Sequence, residues 1–264
     1  MKKKLSIFFP ILIIGCSIFY YIIIRNNSFE TGQIFILLLM YMPALAAIVA
    51  KLVVDHTIKG IGWRPCNIKT LLISYFLPLV SCILVYGITW VTGIGRYKYV
   101  MSFAMVLLNA VVGVLLSCIS AVGEEIGWRG FLLTELRRTF DFPRTSLIIG
   151  LIWFVYHVPL IWFSTYNNGN IAVSTVCFFF MVMAMTTIAN YLCIKTNSFW
   201  PSLMLHASHN LFVQGIFDKM TENGPYTQWV TSEFGIGLAA VYCSIAIYLI
   251  YRHKRDKKMV GENI

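Results

Sequence analysis

The chain has 264 residues, of which 58% are apolar and only 12% charged. Soluble domains carry about 25% charged residues, so a water-exposed globular fold is excluded and the chain reads as an integral membrane protein. Its net charge of +10 is no sign of nucleic-acid binding, because the basic residues sit at the ends of apolar runs, where they orient spans and meet lipid headgroups.

In chain order, Met1-Lys2-Lys3-Lys4 precedes an apolar run from Leu5 to Ile24 that is too long for a signal peptide and lacks a small-residue cleavage site. It predicts a first, retained transmembrane helix. Further spans are predicted at 34–54, 70–92, 101–122, 144–164, 170–194, 198–217 and 234–251, each near the roughly 20 residues that cross the hydrocarbon core. The expected fold is therefore all-α, a polytopic transmembrane bundle of about eight helices with a cavity inside it. If the amino terminus is cytoplasmic, the outer loops hold Arg25, Arg96, Lys98 and Lys219, and the other 17 of the 21 basic residues fall inside. That asymmetry predicts both termini in the cytoplasm. The tail Arg252–Lys258 reads as a stop-transfer and anionic-lipid anchor, and residues 218–233 as a polar outer loop without a motif. The expected organisation is an amino-terminal set of spans over 1–100, a central core over 101–214, and an outer loop, last span and basic tail over 215–264. The seven cysteines are scattered, mostly within apolar runs and without a Cys-x-x-Cys pair, which predicts neither a disulfide framework nor a thiolate metal site.

Polar residues in the second half stand where lipid would penalise them. Glu124, Glu125 and Arg129 close the fourth apolar run. A charge at the centre of a membrane helix costs roughly 2.5–3.5 kcal/mol on insertion scales, so two adjacent carboxylates point to a working site. Glu125 and Arg129 are spaced for a helical ion pair, with Glu124 rotated away and free for other work. Glycines 123, 127 and 130 admit a close backbone or substrate. His157 lies deep in the fifth span, one turn after Trp153 and just before Pro159, which is expected to kink the helix. Ser198-Phe199-Trp200-Pro201-Ser202 reads as a structural helix start, and His206 and Asn210 share a face of the helix that follows. His209 borders a different neighbour.

Two imidazoles and a carboxylate on separate helices have two chemical uses. Glu124, His157 and His206 can hold a divalent metal such as zinc with an open position for water. Alternatively, Glu124 and His157 can activate water directly while His206 and Asn210 stabilise a developing oxyanion. Both routes attack a carbonyl, and no serine or cysteine nucleophile motif competes with them. Packing or scaffold use of the same residues, and a proton-coupled transporter, are the other readings, although no inverted repeat is visible.

Glu-Glu-x-x-x-Arg over 124–129, aromatic-x-x-x-His over 153–157 and His-x-x-x-Asn over 206–210, in that order on successive spans, resemble the CPBP intramembrane proteases. These comprise Rce1-type CAAX prenyl endopeptidases and bacterial relatives of the Abi group linked to bacteriocin processing and immunity. The similarity covers about residues 101–214. It implies an eight-helix bundle cleaving a peptide or protein substrate in or beside the bilayer, with Glu124 as catalytic carboxylate, His157 activating water, His206 and Asn210 holding the oxyanion, and Glu125 and Arg129 in support. Trp153 departs from the phenylalanine usual there, and the motif assigns His209 no role. The composition and compact size look bacterial. No certain cofactor is implied, and a divalent zinc stays open. A non-catalytic immunity factor or scaffold of the same fold is the alternative.

Overall fold

A computed structural model describes residues 1–26 and 32–259, with side chains through 256. The described residues form nine helices: α1 (Lys2–Arg25), α2 (Gln33–Asp55), α3 (Ile68–Val91), α4 (Phe103–Leu136), α5 (Phe142–Phe163), α6 (Ile171–Thr196), α7 (Trp200–Asn210, continued as a π-helix over Leu211–Phe217), α8 (Thr227–Val230) and α9 (Ile236–Met259). Among the described residues, seven of them (α1 to α6 and α9) are long and apolar enough to cross a membrane. The segment predicted as a span over 198–217 is helical, but α7 is shorter and polar and is built into the bundle. Outward faces carry Phe103, Ile68 and Val91, exposed by 76%, 68% and 89%. An apolar surface this extensive is not left to water, so the molecule is an integral membrane bundle.

Side chains start the helices. Asn67, Ser102, Asp141 and Asn170 each accept a hydrogen bond from a backbone N–H three residues on, capping α3, α4, α5 and α6. Pro201 stands in the first turn of α7, where its missing N–H costs nothing. Asn197, in the left-handed conformation at φ 52°, ends α6.

Two features depart from the sequence reading. The fourth apolar run does not end at the carboxylates: α4 continues to Leu136, with π-helical stretches at Asn109–Gly113 and Ile126–Leu132. Glu124 and Glu125 therefore lie within a helix. The second π stretch begins directly after Glu125, and that of α7 directly after Asn210; such widened turns recur at functional sites. The loop expected to lie outside is also partly ordered into a strand: β1 (Gly95–Tyr97) pairs antiparallel with β2 (Thr221–Asn223), Arg96 opposite Glu222.

The glycines of α4 explain how the site is framed. A Cβ on Gly123 would stand 2.5 Å from the Met40 carbonyl, and one on Gly127 would stand 2.3 Å from Pro43 Cβ and 2.7 Å from its carbonyl carbon. The pair is a small-xxx-small face on which α2 lies backbone to backbone. Gly127→Ala is expected to force the helices apart at a cost of about 1–3 kcal/mol, measurable as a lowered thermal midpoint in detergent.

At one end of the bundle an ion cluster ties three helices. Lys4 Nζ of α1 donates to Asp55 Oδ2 of α2 at 2.8 Å and to Glu135 Oε1 of α4 at 2.6 Å, and Lys51 reaches the same Asp55 at 3.0 Å.

Candidate active site

The polar residues meet inside the bundle, where Glu124, His157, His206 and Asn210 all line one cavity of about 100 Å³. A polar site needs only roughly 10–15 Å³ on this measure to hold a water.

Glu124 is 1% exposed. Its Oε2 accepts from the indole N–H of Trp153 at 2.6 Å and of Trp128 at 3.3 Å. The carboxylate is thus gripped on one oxygen, and among the described residues no hydrogen bond engages Oε1. Trp153 does more than cover the histidine. It stands edge-on to His157 and to His206, with ring centroids 6.0 and 5.2 Å away, and the Arg129 guanidinium carbon lies 4.3 Å from its ring centroid. A phenylalanine at this place could pack but could not donate to Glu124.

Both site histidines have a committed Nδ1. His157 Nδ1 is 2.8 Å from the Trp153 carbonyl oxygen, which only accepts, so Nδ1 carries the proton and Nε2 holds the lone pair in the neutral ring. His206 Nδ1 is 2.9 Å from Glu125 Oε1. The same Glu125 oxygen accepts from Arg129 Nη1 at 2.9 Å, the four-residue pair expected from the sequence. Glu124 and Glu125 therefore face different partners, one the cavity and its indoles, the other an arginine and an imidazole. Across the described residues, no three of the His, Cys, Asp and Glu side chains gather into a group able to hold a metal ion, the set Glu124, His157 and His206 included.

The cavity has a further wall that sequence reasoning missed. His209, Gln214, Tyr166 and Glu233 line it as well. Gln214 Nε2 donates to Glu233 Oε1 at 2.8 Å, and His209 Nδ1 lies 3.0 Å from the Tyr242 hydroxyl. Glu233 is presented by a strained turn. Ser232 has φ 64°, and its N–H donates to the Tyr86 hydroxyl, which in turn donates to Asp218 Oδ1 at 2.5 Å. Burial, with Glu233 nearby, holds the Asp218 carboxyl up at about 7 against an ordinary 3.8, while the bond from Tyr86 pulls it down. The folded state thus binds a proton that the unfolded chain releases. The stability it contributes is complete below about pH 3.8 and is lost as pH rises through about 7. Thermal midpoints are expected to fall between about pH 4 and about pH 7 and to level off above that, and Asp218→Asn to flatten that part of the profile.

Residues 104–212 match the family model described as Rce1-like, type II CAAX prenyl endopeptidase. Over these residues the chain is similar to that family. The match covers under half of the chain and contains Glu124, His157, His206 and Asn210. The chain is also 24% identical over 186 residues, 64% of its length and 68% of the relative's, to CAAX prenyl protease 2 of Methanococcus maripaludis. The Rce1-like segment thus coincides with the helices that carry the cavity's carboxylate and imidazoles, whereas Glu233 and Gln214 lie beyond it.

Proposed function

We propose that this protein is an intramembrane endopeptidase that hydrolyses a peptide bond of a membrane-associated peptide or protein, with residues 101–214 as its catalytic core. The observation that carries the reading is the shared cavity of Glu124, His157, His206 and Asn210, within a segment whose family is one of endopeptidases. Water beside Glu124 and the bare Nε2 of His157 gives up a proton to them and attacks the carbonyl carbon. Negative charge then develops on the carbonyl oxygen. Asn210 offers its amide N–H, and His206, when both ring nitrogens are protonated, offers Nε2–H while Nδ1–H stays on Glu125. The proton returns to the leaving amine as the C–N bond breaks. Glu125 and Arg129 are positioning residues that hold His206.

The substrate is read as CAAX-type, by analogy with the relative's name, or as a bacteriocin-like peptide, and the termini are read as cytoplasmic from the charge bias. The test is cleavage of a peptide library, prenylated and unmodified, by purified protein with and without a chelator. Chelator-insensitive cleavage that His157→Ala abolishes is expected. Loss of activity on chelation, restored by zinc, would overturn the metal-free step. Absence of cleavage of every substrate, or cleavage that His157→Ala leaves unchanged, would favour a scaffold.

A further inference from the structure

Glu124 and Glu125 are neighbours in α4 yet keep separate partners, and Trp153 of α5 touches both sets. Its indole N–H donates to Glu124 Oε2 at 2.6 Å. Its ring centroid lies 4.3 Å from the guanidinium carbon of Arg129, the partner of Glu125. Its backbone carbonyl accepts from His157 Nδ1 at 2.8 Å. One residue thus meets both members of the pair assigned to water, Glu124 through its side chain and His157 through its main chain. The Trp128 indole also reaches Oε2, at 3.3 Å, but from the same helix as Glu124, one turn on. Trp153 comes from a second helix, so its bond fixes the carboxylate relative to the span that carries His157.

Arg129 gives the ring a second task. Its Nη1 is committed to Glu125 at 2.9 Å. Nε and Nη2 are buried and find no hydrogen-bond acceptor among the described residues, and the indole face is the electron-rich surface on which the cation rests. A cation over an indole draws density from the ring and makes its N–H a stronger donor. Linked polar groups in a low-dielectric interior polarise one another in this way. The strengthened donor meets a carboxylate oxygen, the acceptor with which such a bond is strongest. Glu124, Arg129 and Trp153 are all buried, so water does not screen the linkage.

From these observations we infer, on the strength of the hydrolysis proposed above, that Trp153 is a positioning residue for both halves of the water-activating pair. Its N–H, strengthened by Arg129, holds Glu124 by Oε2 and leaves Oε1 to the cavity, while its carbonyl holds His157 in register. A phenylalanine at 153 keeps the carbonyl and the packing but loses the bond to Glu124 and the relay from Arg129.

The hydrogen bond can be read without turnover. The test records indole ¹H–¹⁵N resonances of tryptophan-labelled protein in detergent micelles, with Trp153 assigned by its loss in Trp153→Phe. The Trp153 proton is expected to move upfield in Glu124→Gln, where a neutral amide replaces the carboxylate, and in Glu125→Gln/Arg129→Met, where the cation over the ring is gone. Trp63, Trp162 and Trp229 are expected to keep their positions in both. Should the double variant misfold, Arg129→Lys, which replaces the planar stack with a compact ammonium, serves the same comparison. With a peptide that the wild type cleaves, Trp153→Phe is expected to lower kcat about 10- to 100-fold and to leave KM and the thermal midpoint in place. A Trp153 proton unmoved in Glu124→Gln, or unmoved in the Arg129 variants, would overturn the relay. Full kcat in Trp153→Phe, or a loss confined to KM, would overturn the positioning role. Expected shifts in a protein that cleaves nothing would leave the linkage of Arg129, Trp153 and Glu124 in place and overturn the hydrolysis instead.

Discussion

Glu124→Gln is expected to lower peptide cleavage by about 10²–10⁴-fold, the usual contribution of a positioned general base, while the protein still inserts and folds. Glutamine keeps an oxygen that can accept from Trp153 and Trp128, so the two indole bonds to this position survive. What it removes is the basic lone pair facing the cavity. The check is a cleavage rate paired with a thermal midpoint: rate lost and midpoint kept is the expected pair. A fully active Glu124→Gln would refute the role assigned to that carboxylate. Trp153→Phe is the informative companion, because it removes a single donor to Glu124 and leaves the aromatic packing against His157 and His206.

The second large effect is expected at Arg129. The Glu125 and Arg129 side chains are both 0% exposed and 2.9 Å apart. Arg129→Met leaves Glu125 with His206 as its remaining cation, and only when that ring is protonated. Stranding one member of a buried ion pair costs roughly 3–5 kcal/mol, so a large drop in thermal midpoint is expected, together with loss of cleavage through a misplaced His206. The double variant Glu125→Gln/Arg129→Met removes both charges and is expected to recover a substantial part of the stability without recovering activity. Equal midpoints for the single and double variants would show that the pair is not what holds this corner.

The four-residue spacing of Glu125 and Arg129 was readable because helical periodicity alone brings such positions together, and they pair as expected. The close approach at Gly123 and Gly127 was readable as a possibility, but not its partner, since nothing local in Met40-Tyr41-Met42-Pro43 marks that stretch as the facing backbone. The gathering of Glu124, His157, His206 and Asn210 on one cavity followed from treating buried polar groups on separate spans as neighbours. Glu233 escaped notice for a physical reason: it lies on a loop, obeys no helical period, and reaches the cavity through a Ser232 turn fixed by Tyr86, which is 146 residues away in sequence. Continuation of α4 past its charges was hidden because hydropathy marks where lipid contact stops, whereas this helix goes on within protein. The strand pair at 95–97 and 221–223 was hidden because three-residue strands carry too few side chains to show alternation.

The lie of α2 along α4 bears on how this protein can be taken apart. Ile36, Leu39 and Met40 of α2 form part of the chamber wall, and the Leu39 carbonyl accepts from Tyr156 of α5 at 3.0 Å. The opening helices are masonry of the chamber itself, not a porch added before it. A minimal version trimmed to residues 104–212 would present bare glycine ridges to lipid and an open-sided chamber. Chimaeras with relatives should exchange α2 and α4 as one unit, crossing over in the loops beyond them.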